Sequence, residues 1–149
     1  MTEDPQALFQ RLYSEQQRAD QNIGYLQQSL ELVQMSLNSF RSGLSVLQEI
    51  ESKEEDEVIL LNVGGAIFIE AKISNPNKIT RGIGSGVRIE QTLAEAKETV
   101  ESRVLELEKQ LDSLQAEFEK MSTYASKLNT QLQQLATTIQ QPQQEPQEE

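Results

Sequence analysis

Apolar residues recur every three or four positions from Phe9 to Leu47 and again from Leu93 to Ile139, with shorter alternating runs in between. In the first stretch Phe9, Gln16, Ile23, Leu30, Leu37 and Leu44 take heptad position a, and Leu12, Ala19, Leu26, Val33, Phe40 and Leu47 take d. A spacing sustained over this length predicts a helix with a coiled-coil seam, over about residues 5–50. Its start is marked by Asp4-Pro5, a side-chain acceptor at the cap followed by a residue that needs no amide partner. Gly24 and Gly43 lie off the seam and weaken the helix by about 1 kcal/mol each relative to Ala. The acidic run Glu54-Glu55-Asp56-Glu57 then breaks the period and reads as a solvated connector.

Residues 58–90 follow a different rule. Val58 to Val63 is a short apolar run, Gly64-Gly65 follows, and Ala66 to Ile73 comes next with Ile67, Ile69, Ala71 and Ile73 on one face. Two strands about a pair of glycines predict a β-hairpin, because primed turns demand positive φ. After the Asn75-Pro76-Asn77 loop a second hairpin is expected, from Ile79 to Ile83, around Gly84-Ser85, and on through Val87 to Glu90. The four strands are expected to form one small sheet. Gly82, Gly84 and Gly86 space out like a phosphate-binding loop, but a strand follows them where a helix would be needed, so they read as turn residues.

A third segment begins with Thr92 and Glu95, a capping box before an apolar-periodic run over residues 92–139. Its a positions are Lys97, Val104, Leu111, Phe118, Ala125, Leu132 and Ile139; its d positions are Leu93, Val100, Leu107, Leu114, Met121, Leu128 and Leu135. Lys97 alone breaks the seam, and its stem is expected to pack while its amine reaches water. Residues 140–149 are Gln, Pro and Glu, a tail with nothing to bury and an expectation of disorder. The two heptad arrays are nearly equal in length, each about 70 Å as a helix. Folding back through the strand module buries both seams against each other, as short connections favour. A small sheet with open edges then has no cover within the chain, so assembly through the strands, closing into a barrel, is expected.

Composition narrows the chemistry. The net charge of −11 disfavours phosphate binding, and residues 58–90 carry a local +2 within it. Without Cys or His the chain has no disulfide, no thiolate or imidazole metal site and no Cys or His nucleophile. Its carboxylates fall on helix faces where no pocket shifts their pKa, so neither an enzyme nor a cofactor is expected. No apolar run approaches a membrane span and residues 1–5 do not resemble a signal peptide, which gives a cytoplasmic expectation without nucleic-acid or membrane partners.

Helix, two hairpins, helix is the plan of the α class of prefoldin subunits. The run from Leu60 to Ile73 resembles the first hairpin of that class, and Ile83 to Thr92 resembles the second with its entry into the C-terminal helix. The chain is thereby identified as similar to archaeal-type prefoldin over about residues 5–139. The resemblance implies an α+β, mostly α fold: one domain over residues 1–149, a long antiparallel two-helix coiled coil joined by two β-hairpins that assemble with other subunits into a β-barrel. It implies a hexamer of two α with four β-type subunits that captures unfolded proteins without ATP and passes them to a group II chaperonin. Assembly would rest on Leu60, Val63, Gly64, Gly65, Ile67, Ile69, Ile73, Ile83, Gly84, Gly86, Val87 and Ile89. Clients would be held at the coiled-coil tip by Leu8, Phe9, Leu12, Tyr13, Leu132, Leu135 and Ile139. Five of these close the seam as well; Leu8 and Tyr13 lie off it and are the better candidates for direct contact. Gln16 and Ala19 leave that end of the seam poorly locked, so fraying there would expose apolar surface. The competing reading is a structural coiled-coil scaffold or filament subunit without client binding.

Overall fold

The computed structural model describes residues 4–141. They fall into two compact units: a terminal unit, formed by residues up to 33 and from 110 onward, and a hairpin unit, Gln34–Lys109. In chain order the elements are α1 (Pro5–Glu51), β1 (Glu57–Gly64), β2 (Ile67–Ile73), β3 (Ile79–Gly84), β4 (Val87–Gln91) and α2 (Leu93–Gln140). Both helices contribute to both units and run antiparallel within each. Of the tail expected from Gln140, Gln140 itself ends α2, and residues 142–149 lie outside the described residues.

The helix starts are set by side chains. The Gln6 amide donates to Asp4 Oδ1 (3.3 Å) with Pro5 as the first helical residue. At α2 the capping box closes reciprocally: the Glu95 amide donates to Thr92 Oγ1 (3.2 Å) and the Thr92 amide to Glu95 Oε2 (3.3 Å). A third acceptor comes from the β2–β3 loop, where Asn77 Oδ1 takes the Leu93 amide (3.2 Å). The first turn of α2 is thus tied both to itself and to the strand module.

The strands make two separate two-stranded antiparallel sheets, β1 with β2 and β3 with β4, where one four-stranded sheet was expected. The connection between β2 and β3 is spent on its own turn and on capping α2: the Asn77 amide donates to Asn75 Oδ1 (3.0 Å) and the Lys78 amide to the Asn75 carbonyl (3.2 Å). Among the described residues each hairpin therefore keeps two unpaired edges. Both use the same turn device. A register shift between Asn62 and Gly64 precedes Gly65 and Ala66, at φ 59° each; another between Gly82 and Gly84 precedes Ser85 (51°) and Gly86 (76°). Positive φ at both central residues is the primed geometry whose twist suits flanking strands. The turns sit one residue later than the expected Gly64-Gly65 and Gly84-Ser85, because Gly64 and Gly84, at φ 104° and 108°, are taken up by the bulge.

The core of the hairpin unit is the seam between the helices. Leu37 and Leu47 from α1 and Ala96, Val104 and Leu107 from α2 are buried. Salt bridges flank it, Arg41 to Glu108 at 2.7 Å and Lys97 to Glu51 at 3.0 Å, and the Arg103 guanidinium lies 6.0 Å from the centre of the Phe40 ring. Lys97 thus meets a carboxylate across the seam where water was expected, and Ala96 beside it is the buried residue. In the terminal unit Ala19, Ala125 and Leu128 form the core cluster, with Leu12, Ile23 and Met121 packed against it.

Leu37 is 1% exposed, whereas Leu32 on the same helix is 66% exposed. Replacing Leu37 by Ala is expected to cost about 3 kcal/mol in urea unfolding. The same change at Leu32 should cost less than about 0.5 kcal/mol.

Candidate functional site

Two sets of side chains stand out, one left uncovered on the hairpins and one gathered around shallow grooves near the helix ends. The first is on the hairpins. Cross-strand pairing places Ile59 opposite Ala71 and Leu61 opposite Ile69 on one face; on the other, Leu60 faces Glu70 and Asn62 faces Phe68. Leu60 is 69% exposed and Ile67 60%, and Val58, Leu61, Val63, Phe68 and Ile69 are exposed as well. Ile73, at the end of the first hairpin, is half-buried; in the second hairpin Ile83 and Val87 are exposed and Ile89 is half-buried. Most of the residues expected to drive assembly therefore lie open on a ladder that presents unpaired backbone groups at its edges. Gly64, Gly65, Gly84 and Gly86 serve the turns, all with positive φ that a side chain would strain. Phe68, opposite Asn62, was missed among the assembly residues, although its alternation with Ile67 and Ile69 placed an aromatic residue on the second face.

The second set lies in the terminal unit. Leu8, Phe9, Leu12 and Leu135 are half-buried, Tyr13 and Ile139 are exposed, and Leu132 is buried at 8% exposure. Phe9 and Tyr13, one turn apart, stack with ring centres 6.4 Å apart and planes 7° apart. Two shallow grooves flank the seam here. One is lined by Gln6, Phe9, Gln10, Ala136, Ile139 and Gln140. The other is lined by Leu8, Arg11, Leu12, Gln131, Gln134, Leu135 and Thr138. Six of the seven expected tip residues line the grooves or stack beside them, and Leu132 sits inward on the seam. The glutamine rims were not singled out from the sequence; in a periodic helix they look like ordinary solvated positions.

The same unit holds two features of contrasting strength. The Tyr124 hydroxyl donates to Glu15 Oε2 across the helix pair (3.0 Å), and the hydrogen bond to that carboxylate raises the phenol pKa above its usual value, with desolvation adding to the effect. Gln16, at an a position, is only partly satisfied: its Nε2 donates to Asp20 Oδ1 (3.2 Å), whereas its Oε1 is buried without a partner. A buried acceptor left unpaired costs about 1–3 kcal/mol. It lies on the seam next to the Ala19–Ala125 layer, whose small side chains bury little area.

Among the described residues no helix is long and apolar enough to cross a membrane. The family model for prefoldin subunits matches residues 19–145. Prefoldin subunit alpha of Methanopyrus kandleri is 30% identical over 101 residues, spanning 68% of this chain and 64% of that protein. The subunit of the same name from Methanococcoides burtonii is 29% identical over 114 residues, 76% of this chain and 83% of that protein. The chain thus spans just under two thirds of the first relative and over four fifths of the second. The cryo-EM structure of filamentous PFD from Methanocaldococcus jannaschii superposes with a TM-score of 0.61 at 17% identity, over 77% of this chain and 95% of that one, a likeness of fold. The matched residues include both hairpins and the α2 side of the grooves; Leu8, Phe9, Leu12 and Tyr13 precede them.

Two measurements test this geometry. Because the phenol pKa of Tyr124 is raised, the hydrogen bond contributes stability below about pH 10, the unperturbed value, and loses it as pH rises through the folded pKa. Absorbance titration should show a late tyrosinate component that Tyr124→Phe removes. Gln16→Leu should raise stability by about 1–2 kcal/mol by replacing an orphaned acceptor with seam packing, read as slower hydrogen exchange around Gln16.

Proposed function

Because the chain belongs to the prefoldin family, as an α-class subunit, we propose that it works as a holding chaperone subunit that needs no ATP. Its hairpins assemble with β-type subunits, two α with four β, into a barrel. Unfolded proteins are gripped at the coiled-coil tips and passed to a group II chaperonin in the cytoplasm. Residues 1–149 act as one domain in this reading, with assembly assigned to residues 58–90 and capture to the ends of the two helices.

The observation that carries the reading is the uncovered apolar surface of the hairpins. Within the hairpin unit the helices bury Leu37, Leu47, Val104 and Leu107 against each other, and among the described residues nothing covers Leu60, Ile67 or Phe68. A two-stranded hairpin is marginal alone, and a partner's strands would bury both its side chains and its edges. Capture is supported by the grooves around Phe9 and Leu135, which offer apolar contact with little shape demand. No chemical step is required of any residue.

Light scattering of the chain alone and mixed with a β-type subunit tests assembly. A discrete species near six subunits, formed only in the mixture, is expected; a monomer that ignores the partner would remove the basis for the barrel. Capture is tested by deleting Met1–Tyr13 together with Leu132–Glu149. The shortened chain should still assemble but lose suppression of client aggregation, and undiminished suppression would end the assignment of capture to the tips.

A further inference from the structure

The grooves of the terminal unit carry a chemical signature beyond being apolar. Residues 5–10 and 128–141 contain no charged side chain, in a chain with 13 basic and 24 acidic residues. Their polar groups are mostly carboxamides and hydroxyls, and the hydroxyls are committed. Thr130, Thr137 and Thr138 donate to the carbonyls of Ser126, Gln133 and Gln134 at 3.0–3.1 Å within α2. The carboxamides are not: among the described residues, the side chains of Gln6, Gln10, Gln131, Gln134 and Gln140 form no hydrogen bond to protein and stand exposed along the groove rims. Arg11 brings the one charge on the lining.

We propose that these glutamines make the grooves a reader of extended polypeptide backbone: apolar client side chains lie on the floor formed by Phe9, Leu12, Leu135 and Ile139, while the rim carboxamides pair with client main-chain N–H and C=O groups. The inference rests on the capture reading above and names its substrate class, extended apolar segments of non-native chains. The match is chemical. A carboxamide has one C=O and an NH₂, the same donor and acceptor types as a peptide group, and so can satisfy either end of it. A folded protein has most of its main-chain groups paired already, whereas an unfolded one presents them along every apolar segment. Apolar contact alone would leave those groups desolvated without partners, at a cost that would work against binding. Carboxamide pairing removes that cost without a charge, and so without selecting clients by their own charge.

The chain has no Trp, so an end-blocked, uncharged apolar peptide carrying one Trp reports binding through its own fluorescence. With the full chain assembled with its β-type partner, affinity should change less than about twofold between low and high salt. N-methylating alternate peptide amides should weaken binding roughly tenfold. In the variant with Gln6, Gln10, Gln131, Gln134 and Gln140 each changed to Met, similar in length but without the carboxamide, N-methylation should make no difference, as a double-mutant cycle requires. Changing the same five to Glu provides a second, soluble variant, which should bind the neutral peptide more weakly and a lysine-bearing one in a salt-dependent way. An N-methylation effect of equal size in wild type and the Met variant, or none in either, overturns the backbone-reading proposal. If aggregation suppression is intact in that case, capture stands and only its chemistry is wrong. A wild-type assembly that suppresses no aggregation removes capture and this proposal together.

Discussion

Each helix has one apolar stripe, interrupted by Gln16 on α1 and Lys97 on α2, and pairing α1 with α2 uses both. In the hairpin unit Leu37, Leu47, Val104 and Leu107 are sealed into that seam, and the apolar helix side chains outside it, Met35, Val46 and Leu105 among them, stay exposed and do not roof the strands. The hairpins must then hold their form by local chemistry. Two primed turns with a bulge before each, a side-chain acceptor from Asn62 to the Gly64 amide (2.9 Å) and the ion pair of Lys78 with Glu90 (3.3 Å) do this without a core. What results is a pair of ladders with their side chains already set out on two faces and their edges unpaired, so association requires little reorganisation.

The terminal unit solves a different problem with a looser seam. Ala19 meets Ala125 and Leu128, and Gln16 occupies a core position with an unpaired oxygen. Such a seam holds the helices together while keeping local opening inexpensive, since little buried area is lost when it parts. The cross-helix hydrogen bond from Tyr124 to Glu15 adds a directional tie that is exposed to water and therefore weak. Net charge does the rest: at −11 the chain repels its own copies, which keeps open apolar surface from associating indiscriminately.

The features legible in the sequence were those set by period or by short-range chemistry. The heptads placed Leu37, Val104 and Leu128 inside, and Thr92 with Glu95 marked the start of α2 to the residue. Features that depend on which residue lies across the seam were not legible. Glu51 as the partner of Lys97 is one, since it needs the register between two helices for a pair of residues 46 apart in sequence. The hairpin turns were displaced by one residue because a bulge consumes a glycine that a simple two-residue turn would have used. The split into two sheets reflects a connection committed to capping α2, a contact between Asn77 and Leu93 that no local pattern announces. The groove glutamines were visible as residues but not as a set, because only the paired helices bring Gln6 and Gln10 beside Gln140.

The two uncovered surfaces differ in how selective they can be, and the difference follows from backbone chemistry. A strand edge presents alternating N–H and C=O groups at fixed spacing, so a partner must match direction and register, and a slip of one residue turns every side chain to the wrong face. Helices satisfy their backbone internally, which leaves α1 and α2 only side chains with which to make contact. Rotatable glutamines and a shallow apolar floor demand no register, so they can accept many sequences at modest affinity. In the function proposed above, the strict choice of partners therefore falls to the strands and the broad choice of clients to the helix ends.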